Sequence, residues 1–203
     1  MIELVRTDAK YSVCFFGSFL VESTGFIIFS IYLLIWVTSF VDGGIYKDFQ
    51  SAKEEYKTIM FFALSLTICI TPIAGKLADL IPAYIFIPCS CIFRGAGAFM
   101  FKFIEGPHTN DAKLIASIFM ISSYVQRVGI DSLLMRNIPR QIRALIVSLD
   151  DSIGLIGCAL FTLICGYAFD KFGPGFPFLI VGSLDVLYTI IVLVAVCRGQ
   201  LRN

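Results

Sequence analysis

Six apolar runs, separated by short polar turns, account for most of this chain of 203 residues. The hydrocarbon core of a bilayer is about 30 Å thick, so a helix that crosses it needs roughly 20 mostly apolar residues. Hydrophobic residues make up 58% of the sequence and charged residues 15%, whereas about 25% of the residues in a soluble domain are charged. We therefore expect an all-α, multi-pass membrane protein whose six spans form one transmembrane bundle in contact with the lipid bilayer. The predicted spans are residues 11–41, 59–80, 82–103, 113–135, 144–169 and 178–196.

Several function classes find no support in the sequence. The formal net charge of +1 offers no basic surface for nucleic acid. The seven cysteines lie in or beside apolar runs, form no CxxC pair and have only His108 as a histidine, which favours apolar packing over metal or disulfide chemistry. No phosphate loop, nucleophile–base pair or cofactor motif is present. We therefore predict no enzymatic activity, no cofactor and no bound metal.

The distribution of positive charge predicts an orientation. Six spans place both termini on one side of the membrane. Lysine and arginine residues in loops and tails are slightly more numerous on that side than on the other. Because positive loops stay on the cytoplasmic side, we predict that both termini are cytoplasmic, or on the matrix-like side of an organelle membrane.

The two halves of the chain share a sequence pattern. Gly75 lies 91 positions before Gly166, and Asp79 lies 91 positions before Asp170. Each Gly/Asp pair ends the second helix of a predicted triplet, and a proline follows it. Because a triplet contains an odd number of spans, its second copy would be inverted, as in many transporters. We predict two inverted three-helix repeats, with the two carboxylates on opposite faces of the membrane.

Two stretches resemble the major facilitator superfamily of transporters, in which the loop after the second helix of each half reads roughly Gly-x-Leu-Ala-Asp-Arg-x-Gly-Arg-Arg. Four residues match this motif, namely Gly75, Leu77, Ala78 and Asp79. Leu80–Tyr84 stands where the basic residues of the motif would follow. The second stretch is similar to the tenth-to-twelfth helix region of the family, in Ile138–Arg143, Ser152–Gly154, Gly157, Gly166–Pro174 and Phe178. The resemblance covers nearly the whole chain and is to the C-terminal six-helix half of the fold.

The resemblance implies a partner. The family fold has two six-helix halves that rock against each other around a site near the bilayer midplane. It therefore implies a second six-helix half, as a separate chain or a second copy of this one, or a place in a larger membrane complex. It assigns gating or contact between halves to Gly75, Asp79, Arg143 and Asp170. In the family, the carboxylate that Asp79 matches caps a helix of the opposite half and latches the inward gate.

Charged residues inside the predicted spans are the candidates for the substrate or ion path. A charge at the bilayer centre costs at least about 2.5–3.5 kcal/mol, so such residues are usually paired or functional. The candidates are Glu22, Arg94, Arg127, Asp131, Asp150, Asp151 and Asp185. Arg127 and Asp131 are four residues apart on one helix face, so a local ion pair and a substrate role are both open. Glu22 lies at mid-depth, where a proton or cation site and a hydrogen-bonded packing residue are both open.

The partners of the remaining candidates are less constrained. Arg94 requires an acid, and Asp131 and Glu22 are the predicted ones. Asp185 is predicted to face a partner or the path rather than lipid.

Asp150 and Asp151 follow each other in the fifth span. We predict that one of them pairs with Arg143 or Arg136, while the other faces the interior.

Two functional interpretations follow from these features. The leading one is a half-length transporter of the major facilitator type that moves a small, ionisable solute after pairing with a second six-helix half. The alternative is a transporter-derived structural subunit of a large membrane complex that no longer transports.

Overall fold

The structure, a computed structural model, describes residues 9–41, 43–199 and 201, without the side chains of Ala9, Glu22, Phe26, Phe29 and Ser30. Within those ranges the chain is all-helical and has no strand. We number its helices α1 (residues 9–38), α2 (Phe49–Leu80), α3 (Ala83–Met100), α4 (Asn110–Asn137), α5 (Arg143–Phe172) and α6 (Phe176–Cys197). A 3-10 turn, Phe101–Phe103, extends α3, and a second one, Arg140–Ile142, precedes α5.

Four of the described helices are long and apolar enough to cross a membrane, which indicates an integral membrane protein. They are Phe49–Leu80, Ala83–Phe103, Arg140–Phe172 and Phe176–Cys197. The other two predicted spans, 11–41 and 113–135, fall on α1 and α4. Of these, α1 is interrupted by two π turns, Ser18–Glu22 and Ile28–Tyr32, and α4 contains charged residues within its length.

The start of α2 differs from the prediction. Asp48 is the N-cap of α2, and Ser51 is the third residue of the helix. The Asp48 carboxylate accepts a hydrogen bond from the Ser51 backbone N–H at 2.8 Å. The Asp48 backbone N–H in turn donates to the Ser51 hydroxyl at 3.4 Å. This reciprocal capping box starts α2 well before residue 59, where the apolar span was predicted to begin.

Helix packing places α1 at the centre of the bundle. It contacts α2, α4, α5 and α6, while α3 packs between α4 and α6, and α2 packs along α4. Residues further along α1 contact residues further along α5, so these two helices run parallel. The same order of contacts shows that α2 runs parallel to α4. The helices therefore alternate in direction along the chain. We call the end with turns 80–82 and 138–139 the near end, and the end with turns 39–48, 104–109 and 173–175 the far end.

The two repeated carboxylates lie at opposite ends of the bundle. At the near end, Arg136 Nη2 donates to Asp79 Oδ1 at 2.9 Å. The Tyr11 hydroxyl donates to the Asn137 carbonyl oxygen there at 2.8 Å, which brings the start of α1 to the same end. Asp170 belongs to the last turns of α5, which reach the far end because α5 runs parallel to α1.

The core toward the far end is aromatic. Phe101 and Phe178 stack with ring centroids 4.3 Å apart. Trp36 packs edge-on against Phe40 and Phe101, at 5.4 Å in each case. Phe119 adds a further edge contact to Phe101 at 6.4 Å. These rings join α1, α3, α4 and α6, and edge-to-face pairs of this kind add to the stabilisation that comes from burial.

Candidate functional site

A π turn in α1 exposes backbone carbonyls at the centre of the bundle, and polar side chains satisfy them. In Ser18–Glu22 the Ser23 backbone N–H bonds five residues back, to the Ser18 carbonyl. The Ser23 hydroxyl donates to the Phe19 carbonyl at 2.6 Å, and the Thr24 hydroxyl lies 2.9 Å from the Val21 carbonyl. Such turns are frequent at functional sites. This one lies where the sequence shows Glu22-Ser-Thr-Gly25, although the Glu22 side chain is outside the described residues.

Arg94 of α3 fills the space beside this turn. It is 1% exposed, and its guanidinium makes contacts in three directions. Nε donates to Asp185 Oδ2 at 3.0 Å, Nη1 to the Val21 carbonyl at 2.5 Å, and Nη2 to the Thr24 hydroxyl at 2.8 Å. Arg94 thus ties α3 to both α1 and α6. The prediction that Asp131 would be its acid is wrong, because Asp131 lies on the outer side of α4, where it pairs with Arg127.

Asp185 of α6 is the acid that Arg94 requires. Its carboxylate is fully buried, and Oδ1 has no hydrogen-bond partner within the part of the chain that the structure describes. A Cβ at Gly95 would lie 3.2 Å from the Asp185 Cβ, so α3 and α6 approach each other closely here. Asp185 therefore lies between two helices of the core and not against lipid, and its role in the path stays a prediction.

A second group of charges lies on the open face of α4 and α5. Arg127 Nε is 3.8 Å from Asp131 Oδ2, and Arg127 Nη2 is 3.8 Å from Asp151 Oδ1. The three side chains are 55%, 48% and 60% exposed, respectively. We call Arg127, Asp131 and Asp151 the outer charge cluster. The predicted pair of Arg127 and Asp131 is present. The sequence did not predict that Asp151 joins it, because Asp151 and Arg127 lie on different helices.

The outer charge cluster lies deep along the helix axis. Arg127 precedes Arg136 of the near end by nine residues, which is about 13 Å at 1.5 Å per residue. If Arg136 marks the membrane surface, the cluster lies near the bilayer midplane. Charges at that depth are rarely left against lipid.

Asp150 points the other way from Asp151, into the bundle. It is 4% exposed, and its Oδ2 accepts a hydrogen bond from the Ser18 hydroxyl at 2.7 Å. Its Oδ1 has no hydrogen-bond partner among the described residues. The sequence correctly separated an inward and an outward carboxylate here.

The predicted partners of these carboxylates are wrong. Arg143 donates to the Met135 carbonyl at 3.3 Å, and Arg136 donates to Asp79 and to the Ala78 carbonyl. Both arginines therefore bind near-end groups of α2 and α4 rather than Asp150 or Asp151.

The residues assigned to gating separate into two places. Asp170 is exposed at the far end. Gly75, Asp79 and Arg143 meet at the near end, around an open groove of about 480 Å³. The full lining of this groove is Gly75, Ala78, Asp79, Val128, Ser132, Met135, Arg136 and Arg143. Asp79 is already paired with Arg136 of its own chain, and this pair occupies one wall of the groove.

The arrangement contains no metal centre in the ranges that the structure covers, since no three His, Cys, Asp or Glu side chains are grouped to hold an ion there. The arrangement can bind charge, because it combines an enclosed ion pair, a buried carboxyl group that forms no ion pair among the described residues, and an exposed charge cluster.

Comparison with known proteins adds no family assignment. No protein-family model matches the chain, and no curated protein matches it. The resemblance to the major facilitator superfamily remains a prediction from sequence motifs.

Proposed function

We propose that this chain is one half of a transporter of the major facilitator type. In this proposal its six helices all cross the membrane as two inverted three-helix repeats, α1–α3 and α4–α6, with both termini on the cytoplasmic or matrix-like side. It pairs with a second six-helix half, from a separate chain or a second copy, and moves a small, ionisable solute by alternating access.

The helix packing supports the inverted repeat. Such a repeat exchanges α1 with α4, α2 with α5 and α3 with α6. Under this exchange the α2–α4 contact corresponds to α5–α1, and the α3–α4 contact corresponds to α6–α1; all four contacts are present. Arg94 and Asp185 are 91 positions apart, the same offset that relates Asp79 to Asp170. The buried ion pair therefore joins equivalent positions of the two proposed repeats.

The observation that carries the proposal is the outer charge cluster. Each of its side chains is about half exposed, with contacts of 3.8 Å within the cluster. Facing lipid, each charge would cost at least about 2.5–3.5 kcal/mol. A polar surface between two bundles removes that cost and gives the cluster a solute or a partner to bind. Arg127 is then the group that attracts an anionic part of the solute, and Asp131 and Asp151 attract a cationic part.

The test is transport by purified protein in vesicles, using a panel of radiolabelled amino acids, sugars and organic acids. We expect Arg127→Gln to abolish uptake of the solute that the unchanged protein accumulates. Arg140→Gln is the matched control, because Arg140 is an exposed cation in the near-end turn and outside the cluster. Unchanged uptake with Arg127→Gln would remove the cluster from the transport path.

One observation favours the alternative, a structural subunit without transport activity. The Asp79 carboxylate is engaged by Arg136 of the same chain at 2.9 Å, and the basic residues expected after it are replaced by Leu80–Tyr84. A latch to another half would need that carboxylate free. Native mass spectrometry of the complex extracted in mild detergent separates the two functions: a pair of six-helix halves supports the transporter, and a stable assembly of many different chains supports the structural subunit.

A further inference from the structure

The Asp150 carboxyl group is a buried acid of the bundle that forms no ion pair among the described residues. It lies in the second and third turns of α5, on the face that packs against α1. One oxygen receives the Ser18 hydroxyl at 2.7 Å, and the other has no partner in the described part of the chain. The chain itself buries Asp150, and lipid or a second bundle around the protein would only exclude more water from it.

The charged groups around Asp150 do not supply a counter-ion. The cation that interacts electrostatically with Asp150 is Arg127 of α4, but its ion-pair contacts among the described residues are with Asp131 and Asp151. Both of those carboxylates interact electrostatically with Asp150 and carry the same sign of charge.

The other helices packed against α5 bring no free cation to this side chain among the described residues. From α6, Asp185 is held by Arg94 of α3, and the Tyr188 hydroxyl donates to the Val13 carbonyl at 3.0 Å. From α1 the described polar contact is the Ser18 hydroxyl.

An ionised carboxylate in this setting is unfavourable. Burying a charge without a partner costs far more than burying a neutral polar group. A single hydroxyl donor stabilises the carboxylate by about 1.5–3 kcal/mol, which does not offset the loss of hydration for an ion with several kcal/mol of desolvation cost. The neutral acid form removes that cost.

We infer that Asp150 is a proton-binding site, occupied when α1 and α5 are packed as described and emptied when that contact opens. The proton is held on the carboxyl group and passes to water, or to the ionisable solute, when the Ser18 contact separates. This inference rests on the proposed function for its role, since it makes the proton the coupling ion of that transporter. The binding of the proton is a property of this chain and can be measured without transport.

The experiment is infrared spectroscopy of the intact protein at neutral pH, reconstituted in vesicles of ether-linked phosphatidylcholine, which has no ester carbonyl to overlap the band. A protonated carboxyl group has a carbonyl stretching band that an ionised one lacks. We expect the unchanged protein to show this band, Asp150→Asn to lose the intensity of a single carboxyl group, and Asp151→Asn to keep it. Asp151 is the matched control because it is the adjacent carboxylate, 60% exposed and paired with Arg127.

Ser18→Ala provides a second test that leaves the carboxyl group in place. Loss of the hydroxyl donor should shift the band to higher frequency without removing it, since one hydrogen bond to the carboxyl group is lost. A band that Asp150→Asn leaves unchanged would overturn the inference. So would a spectrum without the band in which added sodium chloride, but not choline chloride, raises the unfolding temperature, because the site would then hold a metal cation.

The two proposals fail in different ways. If the band belongs to Asp150 and no solute moves, the proton site stands and the transporter does not. If solute accumulates and the band is absent, the transporter stands and the proton site is overturned.

Discussion

The bundle contains two groups of opposite charges, and they are built differently. Between α3 and α6, Arg94 and Asp185 are 3.0 Å apart and at most 1% exposed. On the face of α4 and α5, Arg127 lies 3.8 Å from each of two carboxylates, and all three side chains are about half exposed. In the first group, each guanidinium nitrogen already has an acceptor within the chain; in the second, the contacts are long and the groups face outward.

This difference separates a structural role from a binding role. A buried pair enclosed by the chain can hold helices together but lies out of reach of a ligand. An exposed pair at long distance contributes little to stability and keeps its hydrogen-bonding capacity for something else. A charged side chain inside a membrane protein is therefore not by itself evidence of a solute path. Whether the chain buries that side chain decides between a structural and a binding role.

The largest effect is expected from breaking the buried pair. Arg94→Met leaves Asp185 buried without a cation, which should cost about 3–5 kcal/mol of unfolding free energy. Thermal unfolding in mild detergent measures the loss. The double variant Arg94→Met with Asp185→Leu should recover most of it, because replacing both charges by apolar groups is often neutral. A single variant as stable as the unchanged protein would show that the pair does not hold the bundle.

A smaller effect is expected where helices touch without charge. An alanine at Gly157 of α5 would overlap the Phe19 carbonyl oxygen of α1, and forcing the backbones apart should cost about 1–3 kcal/mol. Gly75 faces the open groove and has no atom within 4 Å of an added Cβ. Gly75→Ala should therefore be neutral, or stabilising by about 0.5–1 kcal/mol. Equal losses of unfolding temperature for the two variants would contradict the contrast between a closed interior and an open face.

The outer charge cluster should tolerate change in the isolated chain. Arg127→Gln is expected to alter the unfolding free energy by less than about 1 kcal/mol, the usual value of an exposed ion pair. The same thermal assay measures it, alongside Arg94→Met. A loss as large as that of Arg94→Met would mean that the cluster supports the fold, and the distinction between the two groups would no longer hold.

The smallest effect is expected outside the membrane, at the start of α2. Hydrogen bonds from the Ser51 backbone N–H and then from its hydroxyl hold the pKa of Asp48 below its ordinary value. A lowered pKa means that the capping contribution is present above about pH 3.9, the unfolded value, and is lost as the pH falls through the folded one. Asp48→Asn caps without titrating. Relative to that variant, the unfolding temperature of the unchanged protein should fall on acidification below about pH 4; parallel curves would exclude a titrating cap.

The sequence predicts helices better than it predicts contacts between them. Each predicted span overlaps a described helix, because a bilayer-length apolar run has few other ways to satisfy its backbone. The Arg127–Asp131 pair was predictable because four-residue spacing is a local property of a helix. Arg94 and Asp185 belong to helices far apart in the chain, so their contact depends on packing. Their spacing of 91 positions, equal to that of Asp79 and Asp170, was the signal that could have revealed it.

The interrupted helix α1 has a mechanical consequence. A π turn contains one residue more than the α turn that it replaces, and α1 has two such turns, Ser18–Glu22 and Ile28–Tyr32, on either side of the short segment Ser23–Ile27. Shifting the spare residue of one turn into the neighbouring segment would rotate Ser23–Ile27 by about 100° and slide it by about 1.5 Å. Tyr11 at one end and Trp36 at the other could stay anchored meanwhile. Such a shift would turn the middle of α1 inside the bundle while both ends of the helix keep their contacts.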